Sequence, residues 1–243
     1  MVLGLILIFS AVPVQAQEFE IPEINLEINP EAEDEEGLVF GLQILLLLTF
    51  LSLAPAILIM VTSFTRIIVV LSMIRNALAT RTMPPNQVLI GLALFLTVFI
   101  MAPVWQGVIE DAINPYLNEE IGEEEMIEEG LAPIRDFMFE QVREEDLGLF
   151  FEMTETERPE IEEDVPTYLL IPAFVMSELK TAFIIGFIIY IPFVMIDMVV
   201  ASILMSMGML MLPPVMISLP FKIMLFVLVD GWYLVIESLI RTF

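Results

Sequence analysis

The sequence predicts an all-α integral membrane protein, built from helical hairpins with broken helices and a small acidic helical region outside the cytoplasm. Two stretches, residues 38–65 and 82–109, contain no charged side chain. A helix of about 20 apolar residues is long enough to cross the roughly 30 Å hydrocarbon core of a bilayer. A third apolar stretch, residues 181–229, is interrupted only by Asp197 and Lys222. Each of the three stretches can therefore supply at least one membrane span.

Charge is segregated along the chain. It carries 34 acidic and 9 basic side chains, a formal net charge of -25, although 58% of its residues are hydrophobic. Nearly all of the acids lie between residues 17 and 36 or between residues 106 and 181. These acidic stretches would repel nucleic acid and anionic lipid headgroups, so we expect no nucleic acid partner.

The sequence does not predict an enzyme. It contains no cysteine and no histidine, which removes disulfides, thiol nucleophiles, imidazole acid–base chemistry and Cys/His zinc sites. The Gly-x-Gly-Asp motif of intramembrane aspartyl proteases is broken, because Val227 and Val229 stand before Asp230. A Walker A pattern, the zinc-protease motif and the serine-hydrolase motif are also missing. We therefore expect no catalytic activity, and no spacing of residues indicates a cofactor or a metal site.

The first 37 residues precede the apolar body. Residues 1–16 resemble a secretory signal peptide with the small-residue ending Val14-Gln15-Ala16, although no Lys or Arg precedes the apolar core. An uncleaved anchor is the alternative, but that core is too short to span a bilayer. Residues 17–37 form an acidic N-terminal arm without helical periodicity, which predicts a solvated and poorly ordered segment.

Residues 38–109 are predicted to form the first apolar helical hairpin. Its spans are residues 38–61, bent or broken at Pro55, and residues 88–108. The basic segment between them, residues 62–81, contains no acid and three arginines: Arg66, Arg75 and Arg81. Excess arginine in a short loop marks the cytoplasmic side of a membrane. Together with the signal peptide, this places the acidic region that follows the hairpin outside the cytoplasm.

Residues 110–180 are predicted to form that acidic extracytoplasmic region. Residues 133–141 have the spacing of an amphipathic helix, with an apolar face formed by Ile134, Phe137 and Met138. Residues 147–151 are apolar and aromatic, and we expect them to pack against this helix or against a neighbouring subunit. Residues 119–129 are dominated by acids and indicate a solvated helix or loop.

Residues 181–243 are predicted to form a C-terminal broken helical hairpin with a methionine-rich loop. Prolines interrupt its two span-length segments at Pro192, Pro213, Pro214 and Pro220. Broken helices are tolerated at membrane depth where protein or a water-filled cavity covers the freed backbone groups. We therefore expect these segments to face other subunits, which predicts an oligomer.

Two charges lie inside this apolar sequence. An unpaired Asp197 or Lys222 at membrane depth would cost at least about 2.5–3.5 kcal/mol. Pairing with each other, or with Glu178 or Lys180 at the start of the third apolar stretch, would offset much of that cost. One interpretation is an ion pair that holds helices or subunits in register, and the other is a proton or ion relay.

Methionines alternate with other residues after the third span, at Met205, Met207, Met209 and Met211. A spacing of two does not place side chains on one face of a helix, so this run around Gly208 predicts a loop or a broken turn. Methionine is unbranched and deformable, and a ring of such loops could seal around a passing chain. Irregular filling of a core is the alternative.

Several short sequence motifs lie around these positions. They read SFTR at residues 63–66, PPNQVLIGL at 84–92, IPAF at 171–174, SELKTAF at 177–183, IPF at 191–193, MSMGM at 205–209, LPFK at 219–222 and DGW at 230–232. Together they resemble the FliP/SctR family of type III secretion export-gate subunits, and its flagellar members more closely. The resemblance covers nearly everything from residue 38 onward, except residues 119–129.

The resemblance implies a core subunit of the flagellar protein export gate, a multi-pass protein of the bacterial inner membrane and the flagellar basal body. Such subunits assemble as a pentamer with FliQ-like and FliR-like membrane proteins into a helical, funnel-shaped oligomer that passes unfolded flagellar proteins. In that assembly much of the apparent membrane-spanning sequence is lifted out of the bilayer plane.

The resemblance also assigns roles to residues of this chain. It implies that Met205, Met207, Met209 and Met211 form a gasket around the closed pore. It makes Glu178 and Lys222 candidates for ion pairs between subunits, and Arg66 a candidate for a role in assembly.

A function of a different class is the alternative. A small-solute or ion transporter would use Asp197 and Lys222 as a coupled intramembrane site. Transporters commonly contain paired repeats related about the membrane midplane, and no internal repeat is visible here. The size of the particle after mild detergent extraction separates the two hypotheses, because only the gate requires two further membrane proteins.

Overall fold

The computed structural model describes residues 35–80, 82–154, 159, 161–209 and 211–243. The predicted signal peptide and most of the predicted acidic arm lie outside these residues. The chain divides into two compact units, Met1–Leu48 and Thr49–Phe243. In the first unit the described residues are helical, and the second contains the two hydrophobic cores and all of the candidate site residues.

Every regular element of the described residues is a helix, which confirms the predicted all-α class. The α-helices are α1 Glu35–Met60, α2 Phe64–Ala77, α3 Asn86–Ile100, α4 Ala102–Gly107, α5 Asn114–Leu117, α6 Glu123–Gln141, α7 Glu144–Thr154, α8 Thr167–Ser206, α9 Pro214–Leu228 and α10 Gly231–Ile240. A π-helical segment, Val108–Ile113, joins α4 to α5, and a 3₁₀ turn, Glu162–Asp164, precedes α8.

In the part of the chain that the structure describes, two helices are long and apolar enough to cross a membrane, in α1 and in α8. Two bent pairs raise the number to as many as four, if each pair counts as one span. The pair formed by Asn86–Ile100 and Ala102–Leu117 is bent by 52°, and the pair formed by α9 and α10 by 63°. Broken helices are therefore present, as bends between consecutive helices. They do not occur at three of the predicted prolines, because Pro55, Pro192 and Pro220 lie inside α1, α8 and α9.

The first predicted hairpin is wrong in its position. Residues 62–81 were expected to be a loop between two spans, but they contain the 14-residue helix α2. Its apolar residues recur at helical spacing, and Ile67, Val70, Leu71 and Ile74 are all 0% exposed. This buried apolar stripe explains why the arginines do not make the segment a loop. The hairpin that forms is α2 with α3, and its turn lies at residues 78–85.

The third apolar stretch also differs from the prediction. A helix beginning near residue 181 was expected, but α8 is one continuous helix of 40 residues with Pro172 and Pro192 inside it. Residues 167–180 continue the helix because they present apolar side chains at helical spacing, and Leu170, Ala173 and Phe174 are fully buried. Each proline removes one backbone donor, yet the helix continues through both positions.

Two hydrophobic cores organise residues 49–243. The first lies between α2, α3, α8 and the C-terminal helices, around Leu71, Ile74 and Ala182. The second lies between α6, α7 and the start of α8. It contains Phe137 and Met138 of the predicted amphipathic helix, together with Leu147 and Phe151. Residues 147–151 and the predicted amphipathic helix thus contribute to the same core, which also contains the start of α8.

Candidate functional site

Arg66 and Glu178 form a buried ion pair between α2 and α8. Their side chains are 2% and 0% exposed. The Arg66 Nε–H group donates to Glu178 Oε2 at 2.9 Å, and an Nη2–H group donates to the other carboxylate oxygen. This two-point geometry is the strongest form of a side-chain ion pair, because both oxygens of the carboxylate are bound in one plane.

The remaining donors of Arg66 hold two other parts of the chain. Its Nη2 donates to Gln141 Oε1 at 2.8 Å, at the end of α6, and its Nη1 donates to the Thr242 carbonyl oxygen at 2.8 Å. The guanidinium also lies 3.9 Å from the centre of the Phe243 ring, within the range of a cation–π contact. One side chain thus connects α2, α6, α8 and the C-terminal residues.

The contact between Arg66 and Gln141 is incompatible with the predicted placement of the basic segment and the acidic region on opposite sides of a membrane. That arrangement placed the basic segment, residues 62–81, on the cytoplasmic side and residues 110–180 outside. A direct hydrogen bond cannot join two groups on opposite sides of a hydrocarbon core about 30 Å thick. The beginning of α2 and the end of α6 therefore lie at the same depth relative to any membrane.

A second set of polar contacts lies at the same turn of α8. Ser177 is fully buried, and its hydroxyl donates to Asp146 Oδ2 at 2.8 Å and accepts from the backbone N–H of Arg143 at 3.0 Å. Lys180 lies one turn further out and is 43% exposed, with Nζ 3.6 Å from Glu145 and 3.9 Å from Asp146. Lys180 therefore contacts the acidic helix α7 and not Asp197.

Asp197 and Lys222 form the other buried pair, between α8 and α9. Lys222 Nζ is 2.6 Å from Asp197 Oδ2 and donates to the Ala77 carbonyl oxygen at 3.2 Å. The Ser218 hydroxyl donates to the second oxygen of Asp197. Lys222 is 1% exposed, whereas the Asp197 side chain is 23% exposed. The pair joins the α8–α9 hairpin to the C-terminal end of α2.

The methionine-rich run forms the turn that ends α8. Gly208 has a φ of +75°, its N–H donates to the Met205 carbonyl oxygen at 3.0 Å, and the N–H of Met209 donates to the Leu204 carbonyl oxygen at 3.0 Å. This pair of bonds is a Schellman motif, which folds the chain back over the last helical turn and favours glycine at the left-handed position. We call Met205, Met207, Met209 and Met211 the methionine turn, and their exposed fractions are 58%, 65%, 44% and 97%.

Sequence reasoning missed several partners of the candidate residues. Gln141, Thr242 and Phe243 have no distinguishing sequence pattern, and only the folding of distant segments brings them to Arg66. Ser177 could have been found, because it directly precedes Glu178 in a quoted motif and a small hydroxyl in an apolar helix needs a partner. Among the residues that the structure describes, no three acidic side chains are placed to share a metal ion.

The profile of the FliP family matches residues 47–239, which include both buried pairs and the whole methionine turn. The chain belongs to the FliP family. Among the described residues of this FliP-family chain, Thr242 and Phe243 are the partners of Arg66 that lie beyond the matched range.

Comparison with individual relatives supports the same family assignment. The chain is 56% identical over 212 residues to the flagellar biosynthetic protein FliP of Bacillus subtilis, covering 87% of this chain and 96% of the relative. It is 53% identical over 239 residues to the FliP protein of Pectobacterium carotovorum, covering 98% and 90% of the two chains. The FliP protein of Aquifex aeolicus is 49% identical over 240 residues, covering 98% and 97%. The relatives are named as flagellar biosynthetic proteins, and the apolar helices of this chain fit a membrane component of that system.

Proposed function

We propose that this chain is a core subunit of the flagellar protein export gate, and that several copies form a pore for unfolded flagellar proteins together with FliQ-like and FliR-like partners. The observation that carries the proposal is the length and exposure of α8. Its 40 residues extend for about 60 Å at 1.5 Å per residue, about twice the thickness of the hydrocarbon core.

A bilayer alone cannot cover so long an apolar helix. Only 11% of the most apolar window of α8 is buried within the chain, and large side chains such as Phe183, Phe187 and Met198 are more than half exposed. Whatever part of this surface extends past the lipid needs a protein cover, since large exposed apolar patches are typical of subunit interfaces. Neighbouring copies and small membrane partners would supply that cover.

The buried pairs favour a structural role over the transporter alternative. Lys222 contacts a carboxylate and a backbone carbonyl, and both oxygens of Asp197 are bound. Ion relays typically string several ionisable groups along a path, whereas this pair joins three helices. We propose that Asp197, Lys222, Arg66 and Glu178 hold the subunit in the shape that assembles, and that the chain catalyses no reaction.

The methionine turn is proposed to be the gasket of the closed pore. Its four side chains are exposed in the single chain, so they are available to meet equivalent turns from other copies. Thioether side chains adapt their shape more readily than branched ones, which suits a seal that must open for a polypeptide. The proposed location is the inner membrane at the flagellar basal body. Residues 110–180, together with the start of α2 that is bonded to them, would face away from the cytoplasm.

Extraction in a mild detergent followed by native mass spectrometry tests the proposal. The chain, with a mass of 27.5 kDa, is co-expressed with the genes of candidate small membrane partners and purified through a tag on itself. We expect a complex of several copies, five by family resemblance, with both partners bound. A particle that contains only one or two copies of this chain, alone, would support the transporter and refute the gate.

A further inference from the structure

We propose that the methionine turn binds a soft monovalent cation, Cu(I) or its redox-inert analogue Ag(I), through its thioether sulfurs. Four of the 17 methionines of the chain lie within the seven residues 205–211. Four thioether sulfurs in so short a segment are a high local density of soft ligands. The inference concerns the turn itself and does not depend on the proposed pore.

The backbone of the turn brings these residues into one small region. The Schellman bonds place the N–H of Gly208 3.0 Å from the Met205 carbonyl oxygen and the N–H of Met209 3.0 Å from that of Leu204. In an extended strand, alternate side chains would be spread along the length of the strand. The chain reversal at Gly208 instead folds Met209 back over the helical turn that carries Met205. Three rotatable bonds then allow each thioether to reach a shared ion.

The chemistry of the turn selects the class of ion. Thioethers are soft, neutral ligands that prefer Cu(I) among biological metals, whereas carboxylates and carbonyls suit Mg²⁺ and Ca²⁺. Between Asp197 and Lys222 the chain has no charged residue, so neither the turn nor the residues that flank it in sequence supply a carboxylate that would attract a hard divalent cation. A single positive charge is also cheaper to hold in apolar surroundings than a double one.

Solvent exposure makes the sulfurs accessible. Met211 is 97% exposed and Met207 is 65% exposed, and none of the four lies among the buried residues of either core. A bound ion would connect residues on both sides of Gly208, and would therefore stiffen the turn.

The experiment uses the full-length chain in detergent, titrated with silver nitrate in chloride-free buffer and followed by isothermal calorimetry. We expect the native chain to bind about one Ag(I) ion per turn through its soft sulfur ligands. In the variant Met205→Leu/Met207→Leu/Met209→Leu/Met211→Leu, the affinity should fall by at least about tenfold, equal to about 1.4 kcal/mol. Magnesium and zinc should give no comparable binding to the native chain.

The matched control replaces four other exposed methionines with leucine: Met153, Met195, Met198 and Met224. This control should bind Ag(I) as the native chain does. Equal affinity in the two fourfold variants would overturn the proposal, whether both retain binding or both lose it. The proposal would also be overturned if the native chain bound Ag(I) no more tightly than the variant that lacks the turn methionines.

A measurement on the unsubstituted protein removes any dependence on the folding of a variant. Methionine methyl groups labelled with ¹³C give one resonance each, and ligation of sulfur shifts the resonance of its own methyl group. We expect the resonances of the methionine turn to shift as silver is added. Shifts confined to methionines outside the turn, or no shift at saturating silver, would contradict the site.

Discussion

At the scale of single residues, Arg66 is the most connected polar group described here. It binds Glu178 through two nitrogens, the Gln141 amide oxygen and the Thr242 carbonyl oxygen, and it lies against Phe243. Replacing both members of a buried pair by apolar groups is often nearly neutral, but removing one partner leaves a buried charge without compensation.

We therefore predict that Arg66→Ala destabilises the chain by about 3–5 kcal/mol, because the Glu178 carboxylate loses its counter-charge while it remains buried. Unfolding in detergent by heat or denaturant, followed by circular dichroism, measures the effect. Arg241 supplies the control, since its pair with Glu237 has an arginine side chain that is 76% exposed. Arg241→Ala should change stability by no more than about 0.5 kcal/mol.

The double variant Arg66→Met/Glu178→Leu distinguishes charge from volume. It removes both charges and retains apolar bulk, so it should recover much of the stability that Arg66→Ala loses. If the double variant were as unstable as Arg66→Ala, the contacts of Arg66 with Gln141 and Thr242 would matter more than its pair with Glu178.

At the scale of the helices, the pair of Asp197 with Lys222 fixes α9 against α8 and the end of α2. Lys222→Glu should block assembly, because it places two carboxylates side by side in apolar surroundings. Exchanging the two charges, as Asp197→Lys/Lys222→Glu, should restore part of the assembly if the pair acts within one chain. Native gels of the detergent-extracted complex compare the three proteins, and an intact oligomer for Lys222→Glu alone would exclude this role.

The bend between α9 and α10 depends on a glycine. Asp230 has a left-handed backbone with a φ of 52°, and a Cβ atom on Gly231 would lie 2.3 Å from the Phe226 ring. Since Phe226 also packs edge-on against Trp232, the ring cannot move freely. Gly231→Ala should therefore cost about 1–3 kcal/mol through overpacking.

Gly91 in α3 is the matched control for that substitution. A Cβ atom there meets nothing within 4 Å, so Gly91→Ala should stabilise the helix by about 0.5–1 kcal/mol. The same unfolding measurement applies to both variants. Equal effects of the two substitutions would show that the Phe226 ring yields and that the bend needs no glycine.

At the scale of the whole molecule, the methionine turn has two proposed properties that substitutions can separate. Met207→Ala/Met209→Ala removes deformable bulk and should make the closed complex leaky to ions. Met207→Leu/Met209→Leu retains apolar bulk and should leak less than the alanine variant, although it removes the same two sulfur ligands. Conductance of the purified complex in planar bilayers measures the leak, and unchanged conductance in the alanine variant would count against the gasket.

Much of the fold follows from local sequence. The uncharged runs predict apolar helices without knowledge of their neighbours, because each backbone hydrogen bond of a helix lies within its own segment. The spacing of Phe137 and Met138 predicts the buried face of α6, and Gly208 predicts the turn that ends α8. The charges at Asp197 and Lys222 are conspicuous because the surrounding sequence is apolar.

The sequence by itself determined that the chain is helical, apolar and acidic in separate stretches, and that a few buried charges need partners. Only the tertiary structure decided which partners they have and where the hairpins turn. Arg66 lies 112 residues from Glu178 and 75 residues from Gln141 along the chain, and no local pattern encodes such pairings. They arise because the buried stripe of α2 packs along α8. This packing places Arg66 in the core, where it is bound by other residues and not solvated.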